Sequence, residues 1–156
     1  MKTIELSVLN PGIYSTIQDE GRKDWASYGV PFGGPFDKTS KCLVNWLVGN
    51  SKDAPIIECT GPGFEFVTEG EGTLAISGAE GDWFMNDQPI DINESISLSG
   101  QNHFKLKALY HGYRSYIGIQ GSMDMPQWLG SMCPVSYTHL RAHETGSGIS
   151  YAVFCL

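Results

Sequence analysis

Apolar and polar residues alternate in short runs along most of this chain, and glycine, proline or asparagine separates one run from the next. Thr3–Leu9 alternates and is closed by Asn10-Pro11-Gly12, a turn sequence whose glycine tolerates positive φ. Ile56–Cys59, Gly63–Val67 and Thr73–Ser77 read as strands, divided by turns at Gly61-Pro62 and Glu69–Gly72. Trp83–Met85 and Gln88–Ile92 flank Asn86-Asp87, a pair suited to a tight hairpin. Ser95–Leu98 puts Ile96 and Leu98 on one face, and His103–Leu109 sets Phe104, Leu106 and Ala108 against Lys105 and Lys107. Ser115–Gln120 is the last strand before Gly121, and His103 and His111, either side of a turn at Tyr110, read as surface residues.

One helix stands out. Asp37 can cap its first amides and meets the favourable end of the dipole. Leu43, Leu47 and Val44, Val48 then make an apolar stripe, and Gly49 supplies the left-handed stop. A mainly β chain with one clear helix predicts a closed or strongly curved barrel, and residues 1–131 contain no internal repeat, low-complexity tract or linker.

Charge narrows the function classes. The net charge of −7 leaves no basic patch for phosphates, so a nucleic-acid surface is not expected. No apolar run approaches a membrane span, so no membrane association is expected either. Isolated cysteines without CxxC or His/Cys spacing predict neither a zinc site nor a disulfide framework, and fit a cytoplasmic protein.

The chemistry concentrates between Tyr14 and Asn50. Gln18, Asp19 and Arg22 stand where an extended segment ends in Gly21. Arg22 can fork onto a carboxylate while Gln18 holds an amide. Alternatively Asp19 and Arg22 pair with each other and brace the loop. The loop Gly29-Val30-Pro31-Phe32-Gly33-Gly34-Pro35-Phe36-Asp37 lets backbone amides approach a ligand or second chain, yet it lacks the Lys-Ser/Thr of a phosphate loop. A tight turn feeding a capped helix accounts for Gly33, Gly34, Pro35 and Asp37. The alternative gives Gly33 and Gly34 a substrate-binding role and Asp37 a catalytic one. Asn45, a poor helix former, points to a side-chain contact and is expected, with Asp19, to line a substrate-binding face where the Gln18–Arg22 segment and the Gly29–Gly34 loop converge, whereas Asn50 reads as a turn or cap. Glu58, beside apolar strand residues, is a candidate acid or base, and Glu80 reads as a strand-end acceptor of loop amides.

With Glu58, Gly78-Ala79-Glu80, Tyr116 and Leu129-Gly130-Ser131, this stretch resembles the start of the biotin-dependent carboxyltransferase family, which includes the 5-oxoprolinase C subunit, the KipI antagonist and the second subunit of so-called allophanate hydrolases. The resemblance covers nearly all of residues 1–131 and then stops. It implies a cyclophilin-like β-barrel, cut off before the family's second barrel. The usual family loop has Ser near Gly33 and Met near Phe36, and both differ here. The activity implied is ATP-dependent opening of 5-oxoproline to glutamate, with KipI-like and LamB/YcsF-like proteins, its B and A subunits, as partners. There the lactam oxygen is phosphorylated, and donors such as Arg22 and Gln18 stabilise the developing charge. The resemblance also implies two alternatives. One is biotin-dependent carboxyl transfer to urea or a related amide, with biotin carried elsewhere because no Met-Lys-Met segment is present. The other is a regulatory protein that sequesters an inhibitor of a histidine kinase.

The tail has a different origin. Val135 to Thr145 is, residue for residue, the translation of a transposase end and adapter used in DNA library preparation. Ile149 to Leu156 translates the flow-cell primer that follows, and Gly146-Ser147-Gly148 fits a barcode between them. Residues 135–156 are therefore expected to carry no function and residues 132–134 to be a junction, with the fragment inactive alone.

Overall fold

The alternating N-terminal run forms β1 (Thr3–Pro11), followed by β2 (Tyr14–Gln18) and a 3₁₀ turn at Ala26–Tyr28. Then come α1 (Lys38–Leu47), β3 (Ile56–Thr60), β4 (Phe64–Glu69) and β5 (Gly72–Met85). The chain continues through β6 (Gln88–Ile90), β7 (Ser95–Leu98), β8 (Gln101–Ile119), β9 (Ser122–Asp124) and β10 (Tyr151–Cys155). The computed structural model describes residues 3–135 together with the backbone of 151–155.

These strands form a nearly closed antiparallel barrel in the order β2-β3-β8-β4-β1-β10-β9, with β5 laid along β8 and β6 and β7 paired to β5. Its interior holds Ile4, Leu6, Val8, Ile17, Ile57, Phe64, Phe66, Leu74, Ile76, Trp83, Phe104, Leu106 and Ile117. Phe66 and Phe104 face each other across β4 and β8 and stack with centroids 4.9 Å apart. Asn86 and Asp87 both adopt positive φ and turn β5 into β6, as their pairing in the sequence predicts.

Two strand pairs that the sequence separates are continuous. Residues 73–77 and 83–85 both belong to β5, and Tyr110 lies within β8 rather than at a turn. The register shifts between Gly78 and Trp83, so bulges absorb the residues that break the alternation.

The helix also differs from its apolar pattern. Its buried positions are Ser40, Lys41, Val44 and Asn45, while Leu43 and Leu47 are half-buried. Packing decides the rotation. Val44 and Val48 dock on Ile56, Ala75 and Tyr116, and Val44 lies so close to Gly118 that a Cβ there would meet it at 3.0 Å. Asn45 Nδ2 donates to Ala54 O at 2.9 Å, tying the helix to the chain that follows it. Asn50 does more than turn the chain, since it donates to Ile119 O and accepts from Gly121 N, each at 2.8 Å.

Backbone pairing places β10 between β1 and β9. An open strand edge templates such pairing through its own N–H and C=O groups. The adapter reading of residues 135–156 otherwise falls, apart from Val135, outside the described residues.

Candidate functional site

Asp19 follows directly on β2 and gathers the end of the described barrel around its carboxylate. Ser131 Oγ donates to Oδ1 at 2.7 Å, Met132 N to Oδ2 at 2.7 Å, Gly21 N to Oδ1 at 2.8 Å and the Cys133 thiol to Oδ1 at 3.0 Å. Burial pushes the Asp19 carboxyl up, but these donors together outweigh it and leave it below the ordinary value. Cys133 Sγ accepts in turn from the amides of Asp19 and Gly34, each at 3.3 Å. Its thiol is pushed up by burial, and the bond to Asp19 adds to that.

Arg22 is 2% exposed, and its donors meet backbone carbonyls. Nε donates to Trp128 O at 3.2 Å, Nη1 to Pro134 O at 3.4 Å and Nη2 to Cys133 O, while the Trp128 ring lies 5.3 Å from the guanidinium carbon. Its own N–H donates to Phe32 O at 2.6 Å, which ties the glycine loop back to the end of the Gln18–Arg22 segment. Gly21, at φ +81°, leaves no room for a side chain, because a Cβ would stand 2.6 Å from Phe32 O. Next to this clamp, Lys41 of α1 is 1% exposed and paired with Glu20.

A second cluster lies on the outer face of the sheet. Thr16, Glu58 and Tyr116 are directly opposite one another across β2, β3 and β8, so all three point toward the start of α1. Gln18 Nε2 donates to Thr16 Oγ1 at 2.8 Å, and Gln18 Oε1 is buried without a partner. Glu58 Oε2 accepts from Phe36 N at 2.7 Å, and the Tyr116 hydroxyl accepts from Asp37 N at 3.0 Å. Burial, and then the Glu58 carboxylate, push the Tyr116 phenol well above its ordinary value. Asp37 caps α1 as expected, accepting from Thr39 N at 2.8 Å and from Ser40 Oγ at 2.6 Å.

The structure therefore brings Asp19, Arg22, Gly33 and Gly34 together, and a Cβ on Gly33 would lie 3.5 Å from Arg22 Nη1. Gln18, Glu58 and Asp37 meet in the second cluster. Asn45 joins neither, being bonded to Lys52 O and Ala54 O. The loop does not fit the phosphates of a nucleotide. The amides of Gly34, Phe36 and Asp37 already serve Cys133, Glu58 and Tyr116, and each guanidinium nitrogen of Arg22 already donates to a backbone carbonyl.

Residues 28–148, more than half of the chain, match the carboxyltransferase domain, subdomain A and B. The chain belongs to that family. The urea amidolyase of Lachancea kluyveri is 39% identical over 131 residues, covering 83% of this chain and 7% of the relative. The 5-oxoprolinase C subunit of Escherichia coli K12 is 30% identical over 126 residues, covering 81% of this chain and 41% of the relative. The crystal structure of the K. lactis urea amidolyase superposes with a TM-score of 0.84 at 29% identity, over 99% of this chain and 9% of that one. The chain thus spans less than half the length of these relatives.

Sequence reasoning missed Lys41, Trp128 and Cys133 as members of these clusters. For Lys41 a signal existed, since it falls one turn after the Asp37 cap on the same side as Val44 and Val48. The carbonyl partners of Arg22 left none, because backbone groups are the same in every sequence.

Proposed function

We propose that the protein to which this chain belongs acts on a small amide, in the first instance as the C subunit of an ATP-dependent 5-oxoprolinase that opens the lactam to glutamate. The observation that carries the small-amide reading is the Gln18–Thr16–Glu58–Tyr116 row, where a buried Gln18 Oε1 stands ready to accept an N–H. KipI-like and LamB/YcsF-like subunits would be its partners, and nucleotide binding falls to other parts of the assembly.

A second reading is carboxyl transfer from carboxybiotin to urea. The 39% identity to a urea amidolyase favours it. The two share an amide as acceptor or electrophile, so the row serves both. Replacing the matching segment of the Escherichia coli 5-oxoprolinase C subunit with residues 3–131 of this chain, and likewise that of the Lachancea kluyveri urea amidolyase, separates them. ATP-dependent glutamate release from 5-oxoproline in the first chimera supports oxoprolinase, and urea carboxylation in the second alone supports carboxyl transfer. Chimeras that fold and assemble but restore neither activity sink the small-amide reading.

A further inference from the structure

Arg114 is presented quite differently from Arg22. It sits on β8 opposite Thr60 of β3, on the same face as Tyr116 two residues further along. Glu58 Oε1 stands 3.7 Å from Nε, and the guanidinium carbon lies 4.0 Å from the centre of the Phe36 ring. Nε is buried without a hydrogen-bond partner, while 35% of the side chain is exposed. Its terminal nitrogens meet no acceptor among the described residues.

The supports are themselves fixed. Glu58 is 7% exposed and bonded to Phe36 N, so one residue orients both the guanidinium and the loop bearing the ring beneath it. A guanidinium stacked on an aromatic face, with a carboxylate 3.7 Å from its Nε, has lost part of its rotamer freedom before any ligand arrives. The Nη edge is what remains, and its fork matches a carboxylate in bidentate geometry. Glu58 offsets part of the positive charge, so the site favours an anion that fits the fork over anions in general.

We infer that Arg114 is a carboxylate-binding residue whose Nη edge takes the carboxylate of a small anionic amide, on the face where Glu58 and Tyr116 hold the loop. The identity of the ligand rests on the small-amide reading above, whereas the site itself rests on the geometry. Two sources share this chemistry: an amide that is an acid from the start, such as 5-oxoproline, and an amide that has gained a carboxyl group, such as N-carboxyurea.

The test titrates the 156-residue chain with 5-oxoproline, 2-pyrrolidinone, N-carboxyurea and urea, following the Arg114 Nε–H and Phe36 resonances by NMR. At least one acid should bind saturably and shift both signals, and the better acid identifies the source. Arg114→Ala should weaken that binding at least about tenfold, with Arg114→Lys in between because a point charge replaces the fork. The neutral partner should be indifferent to either substitution. Arg114→Lys keeps the charge and the aliphatic stem, so it supplies the answer if the alanine variant fails to fold. The inference is overturned if neither acid binds at millimolar concentration, or if binding is equally tight in the lysine variant and the unsubstituted chain. Neutral amides that bind, with no role for Arg114, would keep the small-amide reading and remove this one. Acetate that binds through Arg114 as tightly as either acid would do the reverse.

Discussion

Ser131 Oγ donates to Asp19 Oδ1 at 2.7 Å across 112 residues of sequence, and through this contact the loop after β2 and the segment after β9 become one structure. Asp19 is better described as the organising anion of that junction than as half of an Asp19–Arg22 ion pair. Its partners are hydroxyl, thiol and amide donors, while the charge of Arg22 is received by carbonyl oxygens.

Acid should act on this junction. The Asp19 carboxyl is lower in the folded state than in the unfolded chain, so its contribution is present above the ordinary carboxylate range and is lost as pH falls through the folded value. Asp19→Asn should reduce stability at neutral pH by roughly 1–3 kcal/mol through unsatisfied donors. Urea unfolding followed from pH 7 to pH 3 should show a shallower acid loss in the variant than in the parent. Equal slopes would mean that Asp19 is not the titrating group.

The Asp37 cap offers a local comparison. Asp37→Ala removes the acceptor for Thr39 N and Ser40 Oγ and should cost about 1 kcal/mol, with Asp37→Ser recovering most of it. The Ser40 hydroxyl, more than any other group, holds the Asp37 carboxyl below its ordinary value, so this cap also weakens on acidification. Chemical denaturation of the three proteins measures both effects.

Gly33 and Gly29 separate conformation from crowding. Both have positive φ, +76° and +75°, but a Cβ on Gly33 would meet Cys133 Cβ at 2.9 Å whereas Gly29 has nothing within 4 Å. Gly29→Ala should therefore carry only the left-handed penalty of about 1–2 kcal/mol. Gly33→Ala should lower the unfolding midpoint further, and equal midpoints would show that the Cys133 contact yields without cost.

For buried Lys41 and its half-exposed partner Glu20, the order of effects is diagnostic. Glu20→Gln leaves Lys41 charged and uncompensated in the interior, at a cost of roughly 1–3 kcal/mol. Lys41→Met removes the charge and keeps the stem, and should cost less. The opposite order would place Lys41 in water.

Thiol reactivity should follow exposure. In a Cys155→Ser background, iodoacetamide should label Cys42 first, since it is exposed. Cys59 is buried, with its thiol pushed up to about 12 by that burial, and should label only in denaturant. Peptide mass spectrometry reads the order.

What could be read ahead of the structure follows the range of each interaction. The Asp37 cap and the Asn86-Asp87 turn are complete within a few residues, so local chemistry displays them. The barrel was legible because alternation marks which face of each strand is buried. Lys41 was not, because its partner Glu20 lies 21 residues earlier, in the loop after β2. For Glu58, the alternation shows a carboxylate beside apolar neighbours but not that its oxygen holds Phe36 N from a loop behind the sheet.

The Asp19–Ser131 contact also sets a timetable for synthesis. At about 5–20 residues per second, segment 128–134 emerges roughly 6–22 seconds after Arg22. β1 can pair with β4 once residue 69 has emerged, but throughout the interval the loop from Gly21 to Gly34 has neither the carbonyl acceptors of Arg22 nor the Cys133 sulfur. A nascent chain is therefore expected to hold α1 and the β3–β4 region before this junction, so the loop from Gly21 to Gly34 is ordered late. Chaperone capture on stalled ribosomes should end only once residue 134 has cleared the exit tunnel.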